Sequence, residues 1–210
     1  MANIFDLFKQ ISSTSDINKL PVKYLVVGLG NPGKEYENTR HNAGFLTVDY
    51  IAEKKGVRID RAKFKALTAT ADICGAGVLL MKPQTYMNLS GEAVSEAARF
   101  YKIAPENIIV ISDDLNLDVG RLRIRKSGSS GGQKGLGDII EKMGTDAIVR
   151  VRVGVGKKPH PNYDIKDWVL SSFSKDDGEK LALAYPKAMA GVEKIVSGDI
   201  DGAMQLCNGK

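Results

Sequence analysis

One short stretch limits the fold more than any other, an apolar run that stops abruptly at glycines. The run covers residues 24–27, and residues 28–33, with the sequence Gly-Leu-Gly-Asn-Pro-Gly, follow it directly. Leu and Val without polar alternation are typical of a strand buried on both faces, and the glycines indicate a tight loop. The chain therefore predicts a central strand of an α/β sheet, with functional residues in the loop that follows it.

The glycines of this loop fit two known phosphate motifs, each with one break. Gly28, Gly30 and Gly33 have the G-x-G-x-x-G spacing of dinucleotide sites, but Pro32 and the polar residues after it delay the helix that this motif requires. Residues 28–34 also match most of G-x-x-x-x-G-K, but Glu35 stands where a Ser or Thr should hold magnesium. At this point both motifs and a purely structural glycine turn stay open.

Composition limits the domain number and the class of protein. With 210 residues, 43% of them hydrophobic, the chain is long enough for one sizeable core. We expect a single domain over residues 22–210, preceded by an N-terminal arm or short helix over residues 1–21. The two cysteines are far apart and no stretch resembles a signal peptide or a membrane span, so we expect a cytoplasmic protein without disulfides or zinc. A net charge of +5 favours a polyanionic partner.

Periodicity predicts that strands and helices alternate. Helical spacing covers residues 43–55, 92–101, 138–143 and 176–197, with a short element at 164–173. Residues 63–73 and 78–81 form an expected hairpin, and residues 107–111 read as a buried parallel strand. Residues 121–126 and 147–155 alternate in polarity like half-buried strands. The expected fold class is α/β, a three-layer fold with a twisted mixed β-sheet and helices on both faces.

His41 and Asp113 are the candidate catalytic pair. His41 is one of two histidines, and histidine is the usual general base near neutral pH. Asp113 follows a buried strand, where α/β sheets place their ligand sites, and a carboxylate there could orient the imidazole. The alternative is a hydrogen-bonded pair of structural use. His160, between two prolines, is expected to be an exposed loop residue, and a metal site among the acidic residues 113–118 is a minor reading because a calcium-loop pattern is missing.

Basic side chains are arranged in rows on two predicted strands. If they are not an ordinary solvated face, they would contact phosphates and position a nucleic acid without reading its bases. The row consists of Arg121, Arg123, Arg125, Lys126, Arg150 and Arg152.

Several sequence words together resemble one family, the bacterial peptidyl-tRNA hydrolases. They occur in family order and cover nearly all of the chain beyond the N-terminal arm. The words are Gly-Leu-Gly-Asn-Pro-Gly at 28–33, Thr-Arg-His-Asn-Ala-Gly at 39–44, Pro-Gln-Thr-Tyr-Met-Asn-Leu-Ser-Gly at 83–91, Asp-Asp-Leu at 113–115 and the glycine-rich stretch 128–136.

The resemblance implies an enzyme that hydrolyses the ester between a peptide and the 3′ ribose of tRNA. It assigns water activation to His41, supported by Asp113. It also implies a cytoplasmic monomer that acts on peptidyl-tRNA without a cofactor, a metal or a membrane. The remaining implied roles are peptide binding by Asn31 and Asn88, a place near the scissile bond for Tyr36, and a clamp on the tRNA 5′-phosphate by Arg125 and Arg152.

One departure from the family pattern lies in the glycine-rich stretch. Gln133 and Lys134 stand where the family usually has His-Asn, so a cation replaces an amide that binds substrate. Lys134 is retained as a substrate contact that could reach a carbonyl or a phosphate. The competing hypothesis is an RNA-binding relative that has lost catalysis, although the presence of both His41 and Asp113 argues against it.

Overall fold

The fold is built on one seven-stranded mixed sheet in a computed structural model that describes residues 20–209. The arm predicted for residues 1–21 lies almost wholly outside the described residues. The strands are β1 Val22–Gly28, β2 Arg61–Lys63, β3 Ala66–Ile73, β4 Ala76–Pro83, β5 Ile108–Asp114, β6 Leu122–Arg125 and β7 Val149–Gly154. Their order across the sheet is β2-β3-β4-β1-β5-β7-β6.

The centre of the sheet is parallel and both edges are antiparallel. Strands β4, β1, β5 and β7 run in the same direction, while β2, β3 and β6 pair antiparallel. Residues 108–111 of β5 are buried, as their apolar sequence predicted, and the strand continues beyond the predicted end through residues 112–114, which are also buried. Parallel neighbours bring the carboxyl ends of β1, β5 and β7 to one edge of the sheet, where the loop after Gly28 also lies.

Helices cover both faces, which confirms the three-layer α/β prediction. They are α1 Ala43–Lys54, α2 Ser90–Tyr101, α3 Lys134–Met143, α4 Ile165–Leu170, α5 Lys175–Val196 and α6 Ile200–Asn208. Helices α2 and α3 pack with Leu25, Val27 and Val110 on one face. Helices α1, α5 and α6 pack with Val26 and Ile109 on the opposite face. None of the helices described between residues 20 and 209 is long and apolar enough to span a membrane.

Some boundaries differ from those predicted. Strand β2 was not anticipated, because the turn joining it to β3 places Phe64 and Lys65 at positive φ without the usual Asn-Gly signal. Helix α2 begins at Ser90, which donates its hydroxyl to the Met87 carbonyl at 2.8 Å instead of capping a helix that starts later. Helix α5 continues through Pro186.

The loop predicted for residues 127–137 placed the start of helix α3 at residue 138. The helix starts four residues earlier. It begins at Lys134 because the Gln133 side chain caps it, accepting a hydrogen bond from the Leu136 backbone N–H at 2.7 Å. Glutamine is not among the preferred capping residues, so no clear start signal is visible in the sequence here. The early start carries Gln133 and Lys134 to the edge of the sheet where the candidate residues meet.

Candidate active site

The glycines after β1 allow a close backbone contact, and they do not form a phosphate cradle. A Cβ on Gly28 would lie 2.4 Å from the Gly44 carbonyl oxygen, and one on Gly44 would lie 2.3 Å from the Ile111 carbonyl oxygen. The loop continues into a 3-10 turn at Lys34–Tyr36 and not into a helix starting at Gly30. Both phosphate-motif readings are therefore wrong. The close contact seats the start of α1 against β1 and β5.

This packing brings His41 onto Asp113. His41 lies in the 3-10 turn Arg40–Asn42 directly before α1, and its Nδ1 is 2.9 Å from Asp113 Oδ2. The side chains are 14% and 4% exposed, respectively. Because a carboxylate only accepts hydrogen bonds, Nδ1 carries the proton and Nε2 of the neutral ring has a free lone pair. The pair therefore has the geometry of a general base with an orienting carboxylate.

Two asparagines anchor the loop that carries Asn31. The Asn31 backbone N–H donates to Asn42 Oδ1 at 2.8 Å, and Asn42 Nδ2 donates to the Asn31 carbonyl at 3.0 Å. The Asn31 Oδ1 accepts from the Met87 backbone N–H at 2.9 Å, which leaves its amide NH₂ as the available donor. Buried Asn42 was missed as a site residue, although it belongs to the same sequence word as His41.

One cavity of about 1240 Å³ collects most of the predicted residues. Exposed Asn88 and Lys134 and half-buried Tyr36 line it together with the residues described above. Lys134 is the first residue of α3, and among the described residues no ion pair involves it. The predicted residues that line this cavity are Asn31, Tyr36, His41, Asn88, Asp113, Lys134 and Arg152.

Gln133, which was not among the predicted site residues, contacts the pair directly. Its Nε2 donates to Asp113 Oδ1 at 3.1 Å. The predicted site therefore omitted a direct neighbour of Asp113. The sequence signal for Gln133 was the replacement of the usual His-Asn pair. The prediction used only the charge of Lys134 and overlooked the Gln133 amide.

Arg125 and Arg152 meet at a second cavity of about 270 Å³ beside the first, lined mainly by the glycine- and serine-rich loop at residues 127–130. Arg152 lines both cavities, and its Nε is 2.9 Å from Asp114 Oδ2. Exposed Arg125 extends from edge strand β6, which pairs antiparallel with β7. A cation is thus available on each of two neighbouring strands.

Not every cation of the predicted row is free to contact phosphate. Arg150 is buried, and its guanidinium donates to the carbonyls of Ile148 at 2.9 Å and Asp146 at 3.0 Å, which ties down the loop before β7. Burial lowers the pKa of Arg150. Lys126 pairs with Asp201 of α6 at 2.7 Å. The expectation of a phosphate contact was therefore wrong for Arg150, since strand alternation predicts the face of a side chain but not what covers it.

Arg40, the neighbour of His41, anchors the wall of the large cavity. Its guanidinium donates to the Val155 carbonyl at 2.8 Å and to Asp177 Oδ2 at 2.9 Å. It also lies 3.9 Å from the centroid of Trp168 in α4. Helix α4 contributes Val169 and Leu170 to the cavity, so Arg40 links the turn that carries His41 to this wall. Its role was not predicted.

Comparisons with known proteins show which family the chain belongs to. The family model for peptidyl-tRNA hydrolase matches residues 25–210. The chain belongs to the peptidyl-tRNA hydrolase family. The peptidyl-tRNA hydrolase of Caldicellulosiruptor bescii is 47% identical over 186 residues, which cover 89% of this chain and 97% of that protein. That of Clostridium botulinum type E3 is 50% identical, with 89% and 96% covered.

A solved peptidyl-tRNA hydrolase from Acinetobacter baumannii has the same fold. It superposes with a TM-score of 0.83 at 36% identity, covering 90% of this chain and 96% of that one. The family recognised from the sequence words is confirmed, and with it the assignment as a hydrolase of the peptidyl-tRNA class. Among residues 20–209, no three His, Cys, Asp or Glu side chains are grouped to hold a metal ion.

Proposed function

We propose that this peptidyl-tRNA hydrolase family member cleaves the ester between a peptide, or an N-blocked aminoacyl group, and the 3′ ribose of tRNA, with His41 as general base and Asp113 as its support. The single observation that carries the roles is the 2.9 Å contact from His41 Nδ1 to Asp113 Oδ2, which leaves Nε2 available at the large cavity. The substrate arises at ribosomes, so the proposed location is the cytoplasm, and we propose a monomer because one chain supplies every residue used.

The first step is attack by water. Nε2 of His41 accepts a proton from water as the oxygen adds to the ester carbonyl carbon, and Asp113 stabilises the imidazolium that forms. The carbonyl oxygen becomes an oxyanion. The amide NH₂ of Asn31 or Asn88, which both line this cavity, donates a hydrogen bond to it. No covalent enzyme intermediate is required.

The second step breaks the ester. The tetrahedral intermediate expels the 3′ oxygen of the ribose, which takes the proton from Nε2, so that free tRNA leaves with a hydroxyl and His41 returns to its neutral form. The products are the peptide acid and tRNA, and the proton count is balanced. We place Tyr36 beside the scissile bond and Lys134 on the peptide carbonyls or the terminal phosphate, since both line this cavity.

The tRNA is held away from the reacting ester. Arg125 and Arg152 are proposed to bind a phosphate of the tRNA at the smaller cavity, because both line it beside a glycine- and serine-rich loop, while the third arginine there, Arg150, is held by backbone carbonyls. Each phosphate contact releases counterions, so the Michaelis constant should rise with salt and less steeply in Arg125→Ala. A salt-independent Michaelis constant would contradict the phosphate assignment.

The decisive experiment measures release of free tRNA from an N-blocked aminoacyl-tRNA. We expect His41→Ala to lower kcat by about 100-fold or more, the usual contribution of a general base. His160 lines the same cavity, so the control is Arg58→Ala, which changes an 89% exposed side chain outside the cavity lining and should keep activity. Binding of tRNA without any release by the wild type would favour the non-catalytic RNA-binding alternative.

A further inference from the structure

Gln133 is held in one orientation at the start of α3. Its Oε1 accepts from the Leu136 backbone N–H at 2.7 Å, so Nε2 must be the end of the amide that faces Asp113. Nε2 then donates to Asp113 Oδ1 at 3.1 Å. A helix cap and a carboxylate contact thus share one side chain, and neither can be made if the amide is reversed.

Asp113 is consequently held from both sides. His41 Nδ1 contacts Oδ2 at 2.9 Å, while Gln133 contacts Oδ1. Because Asp113 is buried, its Oδ1 would carry a desolvation cost without the Gln133 donor. The carboxylate would then also be free to rotate about its Cβ–Cγ bond. The second contact fixes the plane of the carboxylate and therefore the ring that hydrogen-bonds to it.

The donor is also neutral. The charged side chains that line this cavity besides Asp113 are Asp114, Lys134, Arg152, Lys157, Lys158, Asp164 and Lys166. An amide adds no charge to this set and does not titrate, so the support of Asp113 does not change with pH. The His that the family usually carries at this position would change its charge near neutrality.

We propose that Gln133 is a positioning residue for hydrolysis, which holds Asp113 so that His41 presents Nε2 to water. The proposal rests on the proposed roles of His41 and Asp113. It assigns to Gln133 an effect on turnover and not on binding of the tRNA, whose proposed phosphate contacts lie at the smaller cavity.

The test separates the two contacts of Gln133. Gln133→Ser keeps a good helix cap but is too short to reach Asp113, whereas Gln133→Met removes both contacts. We expect Gln133→Ser to have a higher Tm than Gln133→Met, because it keeps the helix cap, while kcat falls about tenfold in both, the usual size for one hydrogen bond to a charged group, with KM unchanged. Gln133→His, which can donate from its ring, should recover most of the lost kcat.

A pH profile supplies a readout that a purely structural role would not move. Gln133→Glu places a second carboxylate against Asp113, and the added negative charge should shift the acid limb of log kcat/KM to higher pH. The proposal fails if Gln133→Ser keeps the wild-type kcat, or if Gln133→Glu leaves the acid limb in place. Inactivity of the wild type, or full activity of His41→Ala, would instead overturn the proposed function.

Discussion

Replacing Arg40 with Met should destabilise the protein more than replacing any exposed arginine. Arg40 is buried, and it donates to Asp177 Oδ2 at 2.9 Å and to the Val155 carbonyl at 2.8 Å. Its guanidinium also stacks at 3.9 Å from the Trp168 ring centroid. Methionine keeps much of the side-chain length but has no donor for either oxygen and no charge.

The expected loss is about 3 kcal/mol. Breaking a fully buried ion pair costs about 3–5 kcal/mol, but the Asp177 side chain is 18% exposed, so water can partly replace the lost donor. The cation–π contact adds about 1 kcal/mol at a desolvated site. Against a typical total of about 5–15 kcal/mol, the variant should still fold but should unfold at clearly lower urea concentration.

The assay is urea unfolding followed by circular dichroism and by fluorescence of Trp168, the single tryptophan of the chain. Arg58→Met is the matched control, since the Arg58 side chain is 89% exposed and should change stability by less than about 0.5 kcal/mol. Equal unfolding midpoints for the two variants would refute the anchoring role of Arg40.

The same pair gives a pH dependence with a defined sign. Burial raises the pKa of Asp177, but the hydrogen bond and charge of Arg40, with help from Ser174, outweigh it and lower the pKa overall. A carboxylate with a lowered folded-state pKa stabilises the fold above its unfolded value of about 3.9, and this contribution is lost as pH falls through the lower folded value. The stability difference between wild type and Arg40→Met should therefore narrow in acid below about pH 4, leaving the part that comes from Val155 and Trp168.

Three further perturbations test other parts of the fold. Burial raises the pKa of Tyr185 to about 12. The contribution of this phenol to folding stability is therefore present below about pH 10 and is lost as pH rises toward 12. In urea unfolding, Tyr185→Phe should lose less stability in alkali than the wild type. Gly44→Ala should cost about 1–3 kcal/mol and lower activity, because its Cβ would lie 2.3 Å from the Ile111 carbonyl oxygen; wild-type unfolding and turnover would contradict the close-contact argument. Asn208→Ala removes two hydrogen bonds to the Ile124 backbone, at 2.6 Å and 3.1 Å. Because Arg125 is the next residue on that strand, KM for tRNA substrates should rise while kcat is retained. An unchanged KM would show that α6 does not support tRNA binding.

The sequence predicted the centre of the fold better than its periphery. Residues 25–28 of β1 and all of β5 are buried, and the continuously apolar residues 24–27 and 108–111 are visible in the sequence without knowing the neighbours. Edge strand β2 has three residues and lacks that constraint. The start of α3 depends on a glutamine cap that acts only because Asp113 and Leu136 lie within its reach, and no local pattern carries that information.

The proposed catalytic pair and the arginine row differ in how far the sequence could predict them. His41 and Asp113 were recognisable because each stands at a distinctive place in the sequence. His41 lies in one of the motifs shared with the family, and Asp113 lies at the end of a buried strand. The prediction for Arg150 failed because alternation on β7 sets the direction of a side chain but not the path of the loop at residues 127–130 that closes over it. Contacts between distant segments therefore decided which predicted residues remain accessible.

Strand alternation explains how the end of β5 can serve both halves of the proposed site. Ile111 packs on the face of α1, and Asp113, two residues further, points to the same side, where His41 lies. Asp114 points to the opposite side, where it pairs with Arg152 at the boundary of the two cavities. A one-residue change of register in β5 would exchange the two carboxylates and separate His41 from its partner. The parallel pairing of β5 with both β1 and β7 fixes that register, so the core of the sheet sets the distance between the proposed hydrolytic and phosphate-binding groups.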